Sequence, residues 1–142
     1  MTILIDADGC PVVNSAVRIA VEHHVNCVIL CDTAHVFEKP GAQTITVAKG
    51  SDSVDFAIVN RVQAGDIVIT QDYGLAAMCL ARRAVPISQN GMVYTADNID
   101  GLLNERHMAR KIRMAGGRLR GSAKRTSEQD AAFEKALRAL LA

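Results

Sequence analysis

The sequence predicts an α/β fold: three α/β/α layers around a central, mainly parallel sheet of about five strands. Three observations carry that expectation. Short apolar runs alternate with segments of helical periodicity along most of the chain. The runs are continuous rather than alternating, as in strands covered on both faces. The chain has 142 residues, no Trp and 4% aromatics, which fits one domain, residues 1–142, with an aliphatic core.

Residues 2–6, with Ile3-Leu4-Ile5 at the centre, read as the first strand. Gly9 allows a positive φ in the turn after it, and Pro11 suits a first helical position. The spacing of Val13, Ala16, Val17 and Ala20 predicts a helix from about Pro11 to His24. His23 and His24 close it, where positive charge favours the helix dipole. Asn26–Cys31 reads as the second strand and Gln43–Ala48 as the third. Ser51 is the expected N-cap of a helix that carries Val54, Ala57, Ile58 and Val62 and ends near Ala64-Gly65.

Asp66–Thr70 follows as a fourth strand, then a short helix from about Tyr73 to Arg83 and a fifth strand near Val85–Ser88. Gly91–Tyr94 reads as a short sixth element. Helices at about Asn98–Met114 and Ser127–Leu141 complete the chain, with a mobile loop expected over Gly116–Ser122 between them. Leu102, Leu103 and Ile112 are the expected core anchors of the penultimate helix, and His107 a surface residue.

Right-handed crossovers put every strand-to-helix turn on one edge of such a sheet, and ligands bind outside the carboxyl ends of the strands. Asp6 and Asp8 follow the first strand, Asp52 and Asp55 open the helix after the third, and Asp72 follows the fourth. These five acids are the candidate catalytic residues, and Asp6, Asp52, Asp55 and Asp72 the candidate metal ligands. Thr70 and Ser51 are candidate secondary polar groups. Asp66 should lie at the opposite edge and Asp32 to one side.

Each acid also has a plainer use. Asp8 suits a turn, Asp52 a first helical turn and Asp72 an N-cap. Caps need one acid per turn, however, whereas two of these turns carry a pair. Crowded carboxylates repel unless a cation neutralises them, and all-oxygen sites suit Mg²⁺ or Mn²⁺.

The net charge of +1 conceals an asymmetry. Residues 1–103 carry 6 Lys/Arg against 11 Asp/Glu, whereas residues 104–125 carry 8 against 1. Arg106, Arg110 and Arg113 fall on one helical stripe, and Arg118, Arg120, Lys124 and Arg125 continue it. Such a segment suits a phosphate backbone, and it equally suits a solvated basic face. It has no interleaved aromatics for base stacking.

No stretch has the length of a membrane span, and the N-terminus has no basic leader region. Cys10, Cys27, Cys31 and Cys79 lack zinc-site spacing, and are expected to be reduced thiols in a cytoplasmic protein. Cys10 lies beside the acids, and a packing role is preferred for it over a reactive one.

The ordered motifs DADGCPV, GSDSVD, DIVITQDYGLA and GGRLRG resemble those of the YaiI/YqxD family of bacterial proteins over essentially the whole chain. That family is similar to the PIN-like nucleases. The resemblance implies a Mg²⁺- or Mn²⁺-dependent ribonuclease-type centre formed by Asp6, Asp52 or Asp55, and Asp72, with Asp8 beside it. The expected function is phosphodiester hydrolysis of RNA or single-stranded nucleic acid. Two alternatives stay open. One is a haloacid-dehalogenase-like phosphatase with Asp6 as nucleophile, Asp8 as acid and Thr70 in the second motif. The other is a non-catalytic nucleic-acid-binding protein.

Overall fold

A computed structural model describes residues 1–34, 38–50, 52–116 and 124–142. Its strands are β1 (Thr2–Asp6), β2 (Asn26–Asp32), β3 (Gln43–Val47), β4 (Ile67–Ile69) and β5 (Val85–Ile87). Its helices are α1 (Val13–Glu22), α2 (Ser53–Arg61), α3 (Tyr73–Ala81), α4 (Ala96–Met114) and α5 (Ser127–Leu141). All sheet pairings are parallel, in the order β3-β2-β1-β4-β5. The α/β/α expectation holds.

The strand pleat explains the continuous apolar runs. Ile3 and Ile5 of β1 pack with Ile29, Ile67, Ile69 and Ile87 under α1 and α5. Leu4, one residue out of phase, packs on the other face with Val28, Leu30 and Val68 against α2 and α3. Both faces are covered, so neither phase is polar. On α5, Phe133 and Leu137 are fully buried; each such side chain contributes about 1.5–3 kcal/mol of burial and fixes the C-terminal helix to the sheet. Pro86 sits in β5, an edge strand, where its missing N–H leaves no gap in an interior ladder.

The ends of elements differ from the sequence expectation in instructive ways. α1 starts at Val13, two residues after Pro11. It closes with His24 at φ 55°, the left-handed position that glycine usually takes. α2 stops at Arg61 because Val62 is already extended, with ψ 139°. Ser51 lies outside the described residues, and the N-cap position of α2 belongs to Asp52. The element expected over Gly91–Tyr94 is an isolated antiparallel bridge between Ile87 and Val93. Gly91, at φ +87°, is required there: a Cβ would lie 2.5 Å from the Ala132 carbonyl oxygen on α5. Apart from Gly116, the loop expected over Gly116–Ser122 lies outside the described residues.

α4 packs through its first half only. Ile99 is its single buried residue, with Leu102 and Leu103 half-buried against Ala76 and Tyr94. Ile112 is 41% exposed and is not the core anchor expected. The reason is length: at 1.5 Å per residue α4 runs roughly 28 Å and α3, its support, only about 13 Å. Among the described residues, no helix is long and apolar enough to cross a membrane.

Candidate functional site

The chain runs β1-β2-β3 outward in one direction, then returns to place β4 on the other side of β1. The carboxyl ends of β1 and β4 therefore flank the switch point of the sheet, where open α/β folds bind ligands. Asp6 ends β1 and Thr70 follows β4 directly. Both are in phase with Leu4 and Val68, so both side chains face the α2/α3 side.

Thr70 ties the two turns together. Its Oγ1 donates to Asp6 Oδ2 at 2.8 Å and accepts from the Asp72 backbone N–H at 3.0 Å. The buried Tyr94 hydroxyl donates to the Thr70 carbonyl at 3.1 Å from below. Asp72 is also the N-cap of α3, accepting from the Leu75 N–H through Oδ1 at 3.0 Å. The capping use and the site use of Asp72 are compatible: a cap engages one oxygen and orients the other.

Asp55, in the first turn of α2, meets Asp72 across this edge. The two carboxyls are close enough for each charge to oppose the other. Burial, then the charges of Asp72 and Asp6, a side-chain hydrogen bond with Asp72 and the Asp52 charge push Asp55 up to about 7. Asp6 is raised as well, chiefly by burial; the Thr70 hydrogen bond opposes this, and Asp72 and Asp8 add to it. Asp52 makes no side-chain cap bond and sits at φ 62°, a left-handed conformation that is uncommon outside glycine. Asp52 thus stands one position before the first helical turn expected for it, still at the helix N-terminus where its charge favours the dipole.

Asp52, Asp55 and Asp72 line a cleft of about 410 Å³ between α2, α3 and α4. Asp6 does not line it, although its charge acts on both Asp55 and Asp72. Asp8 does not enter the cleft. With Asp6, Cys10, Gln71 and Gln89 it lines a separate hollow of about 60 Å³. Four of the five predicted acids thus interact, and the fifth flanks them through Asp6. Asp32 lies beyond β1 from the crevice and accepts from the Ala34 N–H, lateral as expected. The Cys10 thiol is pushed up, mainly by burial, which agrees with packing rather than reactivity.

The described residues of the basic segment divide into three groups. Arg106, His107 and Arg110 form the α4 wall of the cleft, so His107 belongs to the site even though it is exposed. Arg106 Nη1 lies 3.6 Å from Asp72 Oδ1, too long for a hydrogen bond. Arg113 lies further along α4, and Lys124 is exposed before α5. Arg118 and Arg120 lie outside the described residues. Arg125 is engaged elsewhere: its guanidinium donates to Asp130 Oδ1, Asn90 Oδ1 and the Gln89 carbonyl, each at 2.7 Å. It clamps the start of α5 to the turn after β5, and its donors face protein instead of a free surface.

The opposite wall carries a residue that sequence reading missed. Phe56 of α2, 60% exposed, lines the same cleft as Arg106 and Arg110. It is remote from the basic segment in sequence, so only the packing of both α2 and α4 against α3 reveals it. The one local signal was its place at i+4 from Asp52, on the acids' own helix face.

Among the described residues, no group of three or more His, Cys, Asp or Glu side chains is placed to hold a metal ion. The donor chemistry nonetheless fits a hard divalent cation: every converging group is a carboxylate. The charges of Asp72, Asp6 and Asp52 oppose that of Asp55, a repulsion such an ion would relieve.

Fold and site together define an α/β protein with an aspartate cluster at the switch point of a five-stranded parallel sheet. The chain belongs to the family described as "Uncharacterized BCR, YaiI/YqxD family", whose family model matches residues 4–142. It is similar to a UPF0178 protein of Exiguobacterium sibiricum, with 55% identity covering 99% of this chain and 96% of that one. UPF0178 proteins of Ruminiclostridium cellulolyticum (49% identity, 96% and 90% coverage) and Clostridium acetobutylicum (46%, 99% and 97%) are also similar. No solved structure matches the chain.

Proposed function

We propose that the protein is a Mg²⁺- or Mn²⁺-dependent phosphodiesterase acting on RNA or another single-stranded nucleic acid. One observation supports this reading: Asp52, Asp55 and Asp72 line a cleft with a basic α4 wall, and the Asp6 charge acts on Asp55 and Asp72 from the end of β1. An arginine at 3.6 Å from one of them does not balance four carboxylates. Asp6, Asp55 and Asp72 would hold the metal, with Asp52 at the mouth. A bound divalent ion would supply an activated water and stabilise the leaving oxygen.

The protein's own groups have separable tasks. Thr70 fixes the rotamer of Asp6. The α3 N-terminus holds one oxygen of Asp72 and leaves the other toward the cleft. Arg106 and Arg110 attract the phosphate backbone and offset the acids' repulsion of it. Asp55, near pH 7 between its charged and neutral forms, must lose its proton before serving as a ligand.

The phosphatase alternative draws less support. Asp6, Asp8 and Thr70 line one hollow, but it is only about 60 Å³, and Asp6 is already bonded by Thr70. The test is cleavage of a labelled RNA with Mn²⁺ by the purified protein and by an Asp6→Asn/Asp72→Asn variant. The variant should lose activity about 100-fold or more. Equal activity in both would remove the proposal, and salt-sensitive RNA binding without cleavage would favour the non-catalytic alternative.

A further inference from the structure

Phe56 is the feature that the acid cluster leaves unexplained. The chain has 3 Phe, 2 Tyr and no Trp, and Phe133 and Tyr94 are buried in the core. Phe56 is instead 60% exposed, next in sequence to Asp55 and one helical turn after Asp52. Its backbone N–H bonds to the Asp52 carbonyl at 3.0 Å, so the ring is anchored on the rigid first turns of α2. Met78 of α3, also exposed, lines the cleft beside it.

The cleft lining therefore combines three chemistries: carboxylates, an aromatic ring with a thioether from α2 and α3, and Arg106, His107 and Arg110 from α4. A peptide or a free phosphate would use only part of this. A nucleotide has matching parts, with an anionic backbone for the arginines and a flat π-face for Phe56. At about 410 Å³ the cleft is within the usual range for a small-ligand site, about 300–1,000 Å³.

We infer that Phe56 is a specificity-determining residue: it stacks on one unpaired nucleobase beside the phosphodiester presented to the acids. This rests on the nuclease reading above and narrows it. In a duplex each base face is covered by its neighbour, so Phe56 has nothing to stack on. In a single strand the face is free. Selection is thus for unpaired structure rather than sequence, since every base has a π-face.

The test compares Mn²⁺-dependent cleavage of a short single-stranded oligonucleotide, the same strand with one abasic site walked along it, and a duplex. At one position next to the cut, the abasic site should lower kcat/KM by about 5- to 100-fold, mostly through KM. Phe56→Ala should weaken cleavage of the intact strand by a similar factor and erase the abasic penalty. Phe56→Trp should keep the penalty and provide the protein's only tryptophan, whose fluorescence falls as the strand binds.

Normal cleavage by the wild type with no abasic penalty, or a penalty that survives in Phe56→Ala, would overturn the assignment and leave the nuclease reading intact. This wild-type arm does not depend on the variant folding. No cleavage of any strand would overturn both. A dimer that Phe56→Ala converts to monomer, with cleavage unchanged, would overturn it by assigning the ring to contact with a second copy.

Discussion

The two edges of the sheet use aspartate in opposite ways. At the amino edge, Asp66 is buried and accepts from two backbone N–H groups, Thr2 through Oδ1 and Gln63 through Oδ2, both at 2.9 Å. At the carboxyl edge, Asp55 has carboxylates for neighbours: Asp72, Asp6 and Asp52. The hollow at the amino edge is the larger, about 570 Å³ against about 410 Å³. Size therefore does not identify the site. What separates the edges is whether an acid's charge is answered by donors or opposed by like charge. Asp66 holds the start of β1 to the turn before β4, and Asp55 holds a charge that its neighbours oppose.

This contrast can be broken most severely at Asp66. Asp66→Ala should lower unfolding free energy by about 1–3 kcal/mol by orphaning the Thr2 and Gln63 donors, and leave Mn²⁺ uptake by the folded protein unchanged. Denaturant melts and calorimetry would measure the two effects separately. A variant as stable as the wild type would erase the distinction between the edges.

Asp55→Asn should do the reverse. It should abolish calorimetric Mn²⁺ uptake while making the metal-free protein more stable at pH 8, by roughly 1 kcal/mol, because it removes one of the repelling charges. The pH dependence has the same origin. Asp55 is raised to about 7, above an unfolded-state value of about 3.9. Between those values the folded chain binds more protons than the unfolded one, so stability falls as pH rises. The contribution is complete below about pH 4 and lost as pH passes 7. Metal-free thermal melts should show that decline in the wild type and a flatter profile in Asp55→Asn. Identical profiles would mean that the acids do not interact.

The smallest effect belongs to Arg106. Its contact with Asp72 is long and its own side chain more than half exposed, so Arg106→Ala should change stability by less than about 0.5 kcal/mol. It should nonetheless reduce the salt slope of nucleic-acid binding by about 1. An unchanged slope would remove Arg106 from the interface.

Much of this molecule is legible in local pattern. The Ser127–Leu141 helix lies where the sequence pattern places it, and Ile3-Leu4-Ile5 forms the strand its continuous hydrophobicity implies. The acids at strand ends could also be found, since right-handed crossovers assign each turn to an edge once the order of strands and helices along the chain is read. Arg125 could not be sorted from Arg110 in this way. Both are arginines in one basic run, yet one is clamped by Asp130, Asn90 and Gln89 and the other lines the cleft. Ile112 likewise has a core-like residue type, but the helix supporting α4 ends before reaching it.

The sequence alone determined the element types, the layer architecture and which edge carries the acids, because these follow from periodicities of two and of 3.6 residues and from crossover handedness. The tertiary structure decided which acids meet. Asp6 touches Thr70, 64 residues away, because β4 inserts beside β1 on the side away from β2. That order is settled by the packing of whole strands and helices, and no local pattern encodes it. The same packing turned Asp8 to the small hollow and brought Phe56 opposite the arginines.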